Sequence, residues 1–370
     1  MMSRKLPEVC EIQYGFPFDS SLFSAEGDLP LIRIRDVVRG YTETYTSEKC
    51  DVAYLVHEGD ILVGMDCVFN VAKWKGEPAY LNQRVCRIIP NETIDADFLF
   101  YFIPTALKKI ENETAFVTVK HLKAKQLNAV VVPDVPIEEQ KKIAAQLNVI
   151  THLISLRQQQ AEKLDELVKA RFVDMFWGAY SEVIAEDVCE KIVDCPHSTP
   201  KYNESELKYP AIRTSEIQDG QIEWSSMKYV GINEYQRRVK RLIPEAGDIV
   251  YAREGTYGDC VILPEGYQFC LGQRTMLFRP NYKLCNSEYL HAVLRSAAVK
   301  YQADMSNAGS TVPHVNVSDA KRFHFPLPPL PLQNAFATFV HEVDCEKERI
   351  QRSAALLETL KRSLMQQYFG

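Results

Sequence analysis

Residues 136–178 read PIEEQKKIAAQLNVITHLISLRQQQAEKLDELVKARFVDMFWG, and this stretch decides the architecture. Pro133 and Pro136 precede it, and neither Pro nor Gly interrupts it before Gly178, a suitable helix stop. Ile143, Leu147, Ile150, Ile154, Ala161, Leu164 and Val168 recur at alternating spacings of four and three, with Arg157 at the one position of the series that is not apolar. The pattern predicts one continuous helix over 137–177. Shifting the seam by 193 residues, the distance from His121 to His314, gives Phe336, Val340, Val343, Lys347, Ile350, Ala354, Leu357 and Lys361. Ile154 is thus answered by Lys347, and Arg157 by Ile350. Two such stripes in one chain predict a coiled coil. A whole globular stretch lies between them, so the simplest pairing is antiparallel.

The repeat extends beyond the helices. Thr118-Val119-Lys120-His121 answers Thr311-Val312-Pro313-His314, and Pro133, Pro136, Gln140, Ile143 and Ala144 fall on Pro326, Pro329, Gln333, Phe336 and Ala337. Val9-Cys10-Glu11 matches Val188-Cys189-Glu190; Ile32, Arg33 and Gly40 match Ile212, Arg213 and Gly220. Gly59-Asp60-Ile61 matches Gly247-Asp248-Ile249, Gln83-Arg84 matches Gln273-Arg274, and Phe98-Leu99 matches Tyr289-Leu290. Residues 169–178 (KARFVDMFWG) pair with 361–370 (KRSLMQQYFG). The offsets drift, which places insertions in surface loops. So long a period is a whole module with its connector, not a solenoid unit. The expected division is a first module over 1–136, a long helix over 137–178, a second module over 179–329 and a long helix over 330–370.

Within each module the pattern is mixed. Short β-rich runs at 31–35, 60–63, 84–89 and 130–132 recur at 211–214, 248–251, 273–278 and 323–326, and helical stretches are expected at 96–110 and 287–300. The fold class is α+β: two similar mixed α/β modules alternating with two long helices that form an antiparallel, pseudo-twofold coiled coil.

The chain has 370 residues, 46% of them hydrophobic, enough for more than one core. No run is apolar and long enough to cross a membrane, and the opening MMSRKLPEVCEIQYG has no apolar signal core, so a soluble cytoplasmic protein is expected. Ten cysteines are scattered without a Cys-x-x-Cys pair, which fits reduced thiols and gives no zinc spacing. With 43 basic and 49 acidic residues the net charge is −6, so affinity for nucleic acid must come from local clusters or from partners. There is no Asn-Pro-Pro-aromatic motif for base methylation and no G-x-x-x-x-G-K-[ST] phosphate loop, so neither cofactor nor catalytic residue is expected. Asp60 and Asp66, or Glu254 and Asp259 near Arg253, read as turn or surface acids, and the repeated His121 and His314 as anchors of loops.

The segments PIEEQKKIA (136–144), PPLPLQNAFA (328–337) and DCPHSTPKY (194–202), taken with the duplication, make the chain resemble the DNA-specificity subunit of type I restriction–modification enzymes. The resemblance covers nearly the whole length and implies two target-recognition domains. It also implies double-stranded DNA as ligand, two methyltransferase subunits packed on the helices, and restriction/translocase subunits joined to that core. The chain itself would be a non-catalytic subunit. A helix of about 40 residues spans roughly 60 Å, a ruler for up to about 18 base pairs, which suits a bipartite target read one half-site per module. The competing expectation is a duplicated coiled-coil scaffold that bridges two protein subunits and reads no DNA.

Base-reading residues belong where the two copies diverge, since two different half-sites are read. Residues common to both, such as Arg33 with Arg213 and Arg84 with Arg274, are expected to hold the fold through ion pairs. The sharpest divergent basic stretch is YQRRVKR (235–241), offering Arg237, Arg238, Lys240 and Arg241 to phosphates or to guanine's major-groove edge. Arg253 and Tyr257 of REGTYG (253–258) come next, then Lys73, Trp74 and Lys75 in the first module, then Lys201 and Tyr202. Lys120 and the Ser310-Thr311 loop rank lower. Leu153, Phe172, Phe339 and Leu360 are apolar helix residues outside the seam, expected either as a face for a partner or as core.

Overall fold

The computed structural model describes residues 4–113, 121–203, 208–306 and 314–370; Lys120, Ser310 and Thr311 lie outside the described residues. The chain divides into two compact units, Met1–Gln158 with Gln351–Gly370, and Gln159–Ile350. The division passes through both long helices, so each unit holds one module together with half of each helix, whereas the expected boundaries at 136, 178 and 329 separate modules from helices.

In the first unit, Cys10–Tyr14, Val85–Pro90, Ile61–Gly64 and Val71–Lys73 form an antiparallel sheet in that order. The second unit repeats it with Cys189–Asp194, Thr275–Pro280, Ile249–Ala252 and Cys260–Ile262. The two central strands of each sheet are largely apolar at successive positions because both faces are covered. Ile61, Val63, Cys86 and Ile88 pack with the helix Ala96–Glu113, while Leu62 and Val85 meet Ile32, Trp74 and Leu81 on the other side. Likewise Ile249, Tyr251, Met276 and Phe278 face one core of the second unit, and Val250, Ala252 and Leu277 face another. The smaller sheets also correspond. Leu29–Ile32 runs parallel to Ala79–Leu81, as Tyr209–Ile212 runs parallel to Cys270–Leu271. The ends of each module are tied together, Arg4–Lys5 to Val131–Val132 and Glu182–Ile184 to His324–Pro326.

Three elements differ from their sequence-based expectation, the first being the run at 211–214, whose strand is Tyr209–Ile212. The run at 31–35 stops as a strand at Ile32, because the Asp36 carboxylate accepts the Arg33 N–H (2.8 Å) and turns the chain into the short helix Asp36–Arg39. The stretch 287–300 is two helices, Ser287–Leu294 and Ala297–Ser306; the Ser296 hydroxyl accepts the Val299 N–H at 3.3 Å and starts the second.

The long helices span Ile137–Phe176 and Leu330–Phe369. Each is locked to its module by a fully buried glutamine in the first turn. Gln140 Oε1 accepts the Asp95 N–H at 2.8 Å and its Nε2 donates to the Val135 carbonyl at 2.7 Å. Gln333 repeats this with the Asn286 N–H at 2.9 Å and the Pro328 carbonyl at 2.8 Å. Asp95 and Asn286 in turn cap the module helices, accepting the N–H groups of Phe98 and Tyr289.

Inside each unit the start of one long helix meets the end of the other, so the halves pair antiparallel. In the first unit Phe369 packs against Phe98 and Phe102, with ring centroids 5.2 and 6.0 Å apart, and Tyr368 Oη donates to Gln146 at 3.1 Å. In the second, Phe336 contacts Phe172 and Phe176 at 5.7 and 5.5 Å, and Lys347 pairs with Asp165. Of the seam residues, Ile143, Leu147, Ile150, Ile154, Phe336, Val343 and Ile350 are buried; Ala161, Leu164, Val168, Val340, Ala354 and Leu357 are half-buried. Phe172 does not form a surface face: it is buried among Phe176, Tyr289 and Phe336, and Phe339 is half-buried against the same core. Leu153 and Leu360 are exposed.

All ten cysteines are free thiols, and burial pushes Cys10, Cys86, Cys270 and Cys285 up to about 12, which makes them unreactive packing groups. Among the described residues no helix is long and apolar enough to cross a membrane.

Replacing Gln333 by Leu keeps the volume but strands the Asn286 N–H and the Pro328 carbonyl in the interior. Thermal unfolding should report a loss of about 1–3 kcal/mol, and the equivalent Gln140→Leu the same. An unshifted melt in both would refute the lock.

Candidate nucleic-acid interface

The divergent basic stretch of the second module folds as the helix Ile232–Arg238, and its four cations separate into different roles. Tyr235 faces inward and stacks on Tyr209, with centroids 4.4 Å apart. Three residues later Arg238 faces inward too. Its guanidinium donates to the carbonyls of Leu271 (2.7 Å), Ser198 (2.9 Å) and Pro196 (3.3 Å), so it pins the DCPHSTPKY loop instead of reaching solvent. Arg237 points outward and is paired with Glu234 at 2.7 Å. Burial raises the Glu234 carboxyl, but Arg237 and Arg238 outweigh it and hold the group below its ordinary range. Lys240 and Arg241 follow the helix, both exposed.

The loop and the strand beside it add to this face. Tyr202 bridges to Val230, and its ring lies beneath two cations, Lys228 Nζ at 5.1 Å and the Arg213 guanidinium at 5.5 Å. Lys208 sits 5.3 Å over Tyr209, and the Lys201 N–H reaches Glu234. Arg237, Lys240, Arg241, Lys201 and Tyr202 are therefore carried on the helix, loop and strand that Arg238 and the tyrosine stack bind to one another, together with Lys208 and Lys228, which sequence reasoning missed. Alternation along 228–230 gave no signal for this, since Lys228 and Val230 share one face of the strand although one is exposed and the other buried. Trp224 and Tyr267, exposed and in contact at 4.7 Å, were missed as well. A Trp in a polar turn and a Tyr after Gly266 were the only hints.

Arg253 and Tyr257 belong elsewhere. The Arg253 side chain is buried, donates to the Val315 carbonyl (2.8 Å) and pairs with Asp194, so it ties the sheet to the segment at 314–315. Tyr257 is half-buried and donates to Asp304. In the first module, Trp74 is core, with its indole N–H on the Glu77 carbonyl at 2.9 Å. Lys73 is bound to Asp97, which also accepts from Asn148 in the long helix. Lys75 alone of that trio is exposed, lying over Gly40, whose φ of 77° is matched by Gly220. Gly40 brings Lys75 against the 39–41 turn, and Arg33, Arg35, Arg39 and Tyr41 of the same segment are exposed. The string Ile32-Arg33-Ile34-Arg35 and Arg39-Gly40-Tyr41 carried that signal openly; alignment to Arg213 drew attention to one arginine only.

The acids read as turn or surface residues are engaged in ion pairs: Asp60 with Arg87, Asp66 with His121, Glu254 with Arg274, and Asp259 with Arg295. Asp60 and Asp248 are equivalent, each accepting a turn N–H and an arginine. Among the described residues no group of three His, Cys, Asp or Glu is placed to hold a metal ion.

The duplicated frame has a counterpart among known proteins. The type I restriction modification DNA specificity domain model matches residues 1–166 and again 181–358. The chain belongs to that family. The EcoBI specificity subunit of Escherichia coli, a type I restriction enzyme subunit, is 27% identical to this specificity-domain chain over 98% of the chain and 84% of the relative. Among solved structures, the type I S subunit from M. genitalium superposes with a TM-score of 0.56 at 14% identity, covering 100% of this chain and 96% of that one. A chain from a type I system described for its complex assembly and conformational transition gives 0.60 at 15% identity, with coverage of 100% and 97%.

Arg237→Ala should leave the melting temperature near that of the parent, since the Arg237 side chain is half exposed, whereas Arg238→Ala should cost about 2–3 kcal/mol by removing a buried guanidinium from three carbonyls. Parallel thermal melts check the split. Equal losses would mean that the helix is not oriented as described.

Proposed function

We propose that this chain is the non-catalytic DNA-reading subunit of a type I restriction–modification complex, each module reading one half of a bipartite target. The observation that carries this reading is the repetition of one sheet frame with different exposed cations and aromatics. The first module presents Arg33, Arg35, Arg39, Tyr41 and Lys75, and the second presents Lys201, Tyr202, Lys208, Lys228, Arg237, Lys240 and Arg241. Equal frames hold equivalent positions at the duplex, and unlike edges select different bases. The acidic balance of 49 against 43 is consistent with a subunit that borrows part of its DNA affinity from basic partners.

Two methyltransferase subunits are the proposed partners on the long helices, with restriction/translocase subunits joining that core. In the first unit Val149, Leu153 and Leu156 form an exposed stripe on one helix, and Leu356 and Leu360 another on its partner. Such stripes are costly to leave in water and suit an interface core.

Replacing residues 179–329 by the corresponding module of another family member should change one half of the methylated sequence and leave the other intact. Sequencing of methylated positions in cells carrying the chimera and its methyltransferase decides it. An unchanged pattern would favour a scaffold that reads no DNA. Separately, Leu153→Asp with Leu360→Asp should weaken co-purification of the methyltransferase without lowering the melting temperature.

A further inference from the structure

The two modules share one polar cluster that neither the cores nor the divergent edges use. In the first, Asp66 lies between His121 Nδ1 (2.5 Å) and Arg84 Nε (3.7 Å), and Arg84 Nη1 reaches the imidazole at 3.2 Å. In the second, Glu254 lies between His314 Nδ1 (2.9 Å) and Arg274 Nε (2.9 Å). The main chain corresponds too: the Arg84 carbonyl accepts the Met65 N–H, as the Arg274 carbonyl accepts the Arg253 N–H.

Both arginines occupy the left-handed backbone region, with φ of 75° and 64°. Glycine serves such a position without strain, and an arginine does not. Retaining a strained arginine at the same place in two modules whose edges have diverged points to a use for its side chain. Those side chains are 53% and 64% exposed, too open for an ion pair to add much to stability. Arg274 meets its carboxylate through Nε at 2.9 Å. A carboxylate and an imidazole behind a guanidinium fix its orientation in advance, so that little side-chain freedom remains to be lost on binding.

We propose that Arg84 and Arg274 are pre-oriented contacts to the DNA phosphate backbone, one in each module and independent of base sequence. Asp66 with His121, and Glu254 with His314, position them. A contact common to both modules does not distinguish two unlike half-sites, whereas a phosphate is present at every position of either. The assignment rests on the DNA-reading function above.

The test uses Arg84→Gly and Arg274→Gly in the full chain purified with its methyltransferase. Binding is followed by anisotropy against a duplex carrying the methylated site and one of unrelated sequence, over a salt series. Each variant should lower the slope of log affinity against log salt by about 0.9 and weaken both duplexes by the same factor. Glycine relieves the backbone, so the melting temperature should hold or rise. Arg274→Lys, which keeps the charge, should retain the slope. A lower melting temperature with an unaltered slope would make the arginines structural and overturn the proposal. So would a loss confined to the specific duplex, which marks a base contact. A wild-type complex that binds neither duplex would overturn the DNA-reading function itself, and this assignment with it.

Discussion

Everything in each unit is referenced to a glutamine that has no access to water. Gln140 and Gln333 each join three things: the first turn of a long helix, the proline-bearing segment entering it, and the capping residue of the module helix. The amide satisfies a main-chain donor and a main-chain acceptor that would otherwise be buried unpaired, and it can do so in one orientation only. Hydrophobic packing supplies most of the adhesion, but it tolerates sliding and rotation. The glutamine removes that freedom, so the angle between module and helix is set by hydrogen-bond geometry.

With the frame set, the double-sided sheet leaves the edges free to vary. Its two central strands spend most of their side chains on one core or another, and the short parallel pairs at Ile32 and Ile212 carry the chain out to the exposed loops. Arginines that look alike in sequence then do different work. Arg238 and Arg253 are internal fasteners for loops, Arg87 and Arg279 clamp acidic turns, and Arg237 and Arg241 remain at the surface.

The duplication, the long helices and their seam were legible in the sequence because they rest on periodicity, which survives divergence. Seven apolar or aromatic seam residues sit in the interior as the spacing required. The pairing of Gln140 with Gln333 was visible as a match, although nothing in the letters disclosed its hydrogen bonds. Site assignment was harder, since a cation and a buried cation are written alike. YQRRVKR reads as four equal charges until the helix turns Arg238 inward, and Lys-Trp-Lys reads as a patch until Trp74 fills the core. Phe172 stayed open for a related reason: seam spacing identifies one stripe, while the aromatic cluster around Tyr289 consumes a second.

The composition of the units has a consequence for the order in which they form. The second unit is one uninterrupted stretch, Gln159–Ile350, whereas the first closes its core only when Phe369 reaches Phe98 and Phe102. Contacts that distant along the chain are slow to find, because loop closure must come before any packing rewards it. The second unit therefore has its whole chain before the C-terminal helix is finished, while Phe98 and Phe102 on Ala96–Glu113 lack Phe369 until the last residues are made.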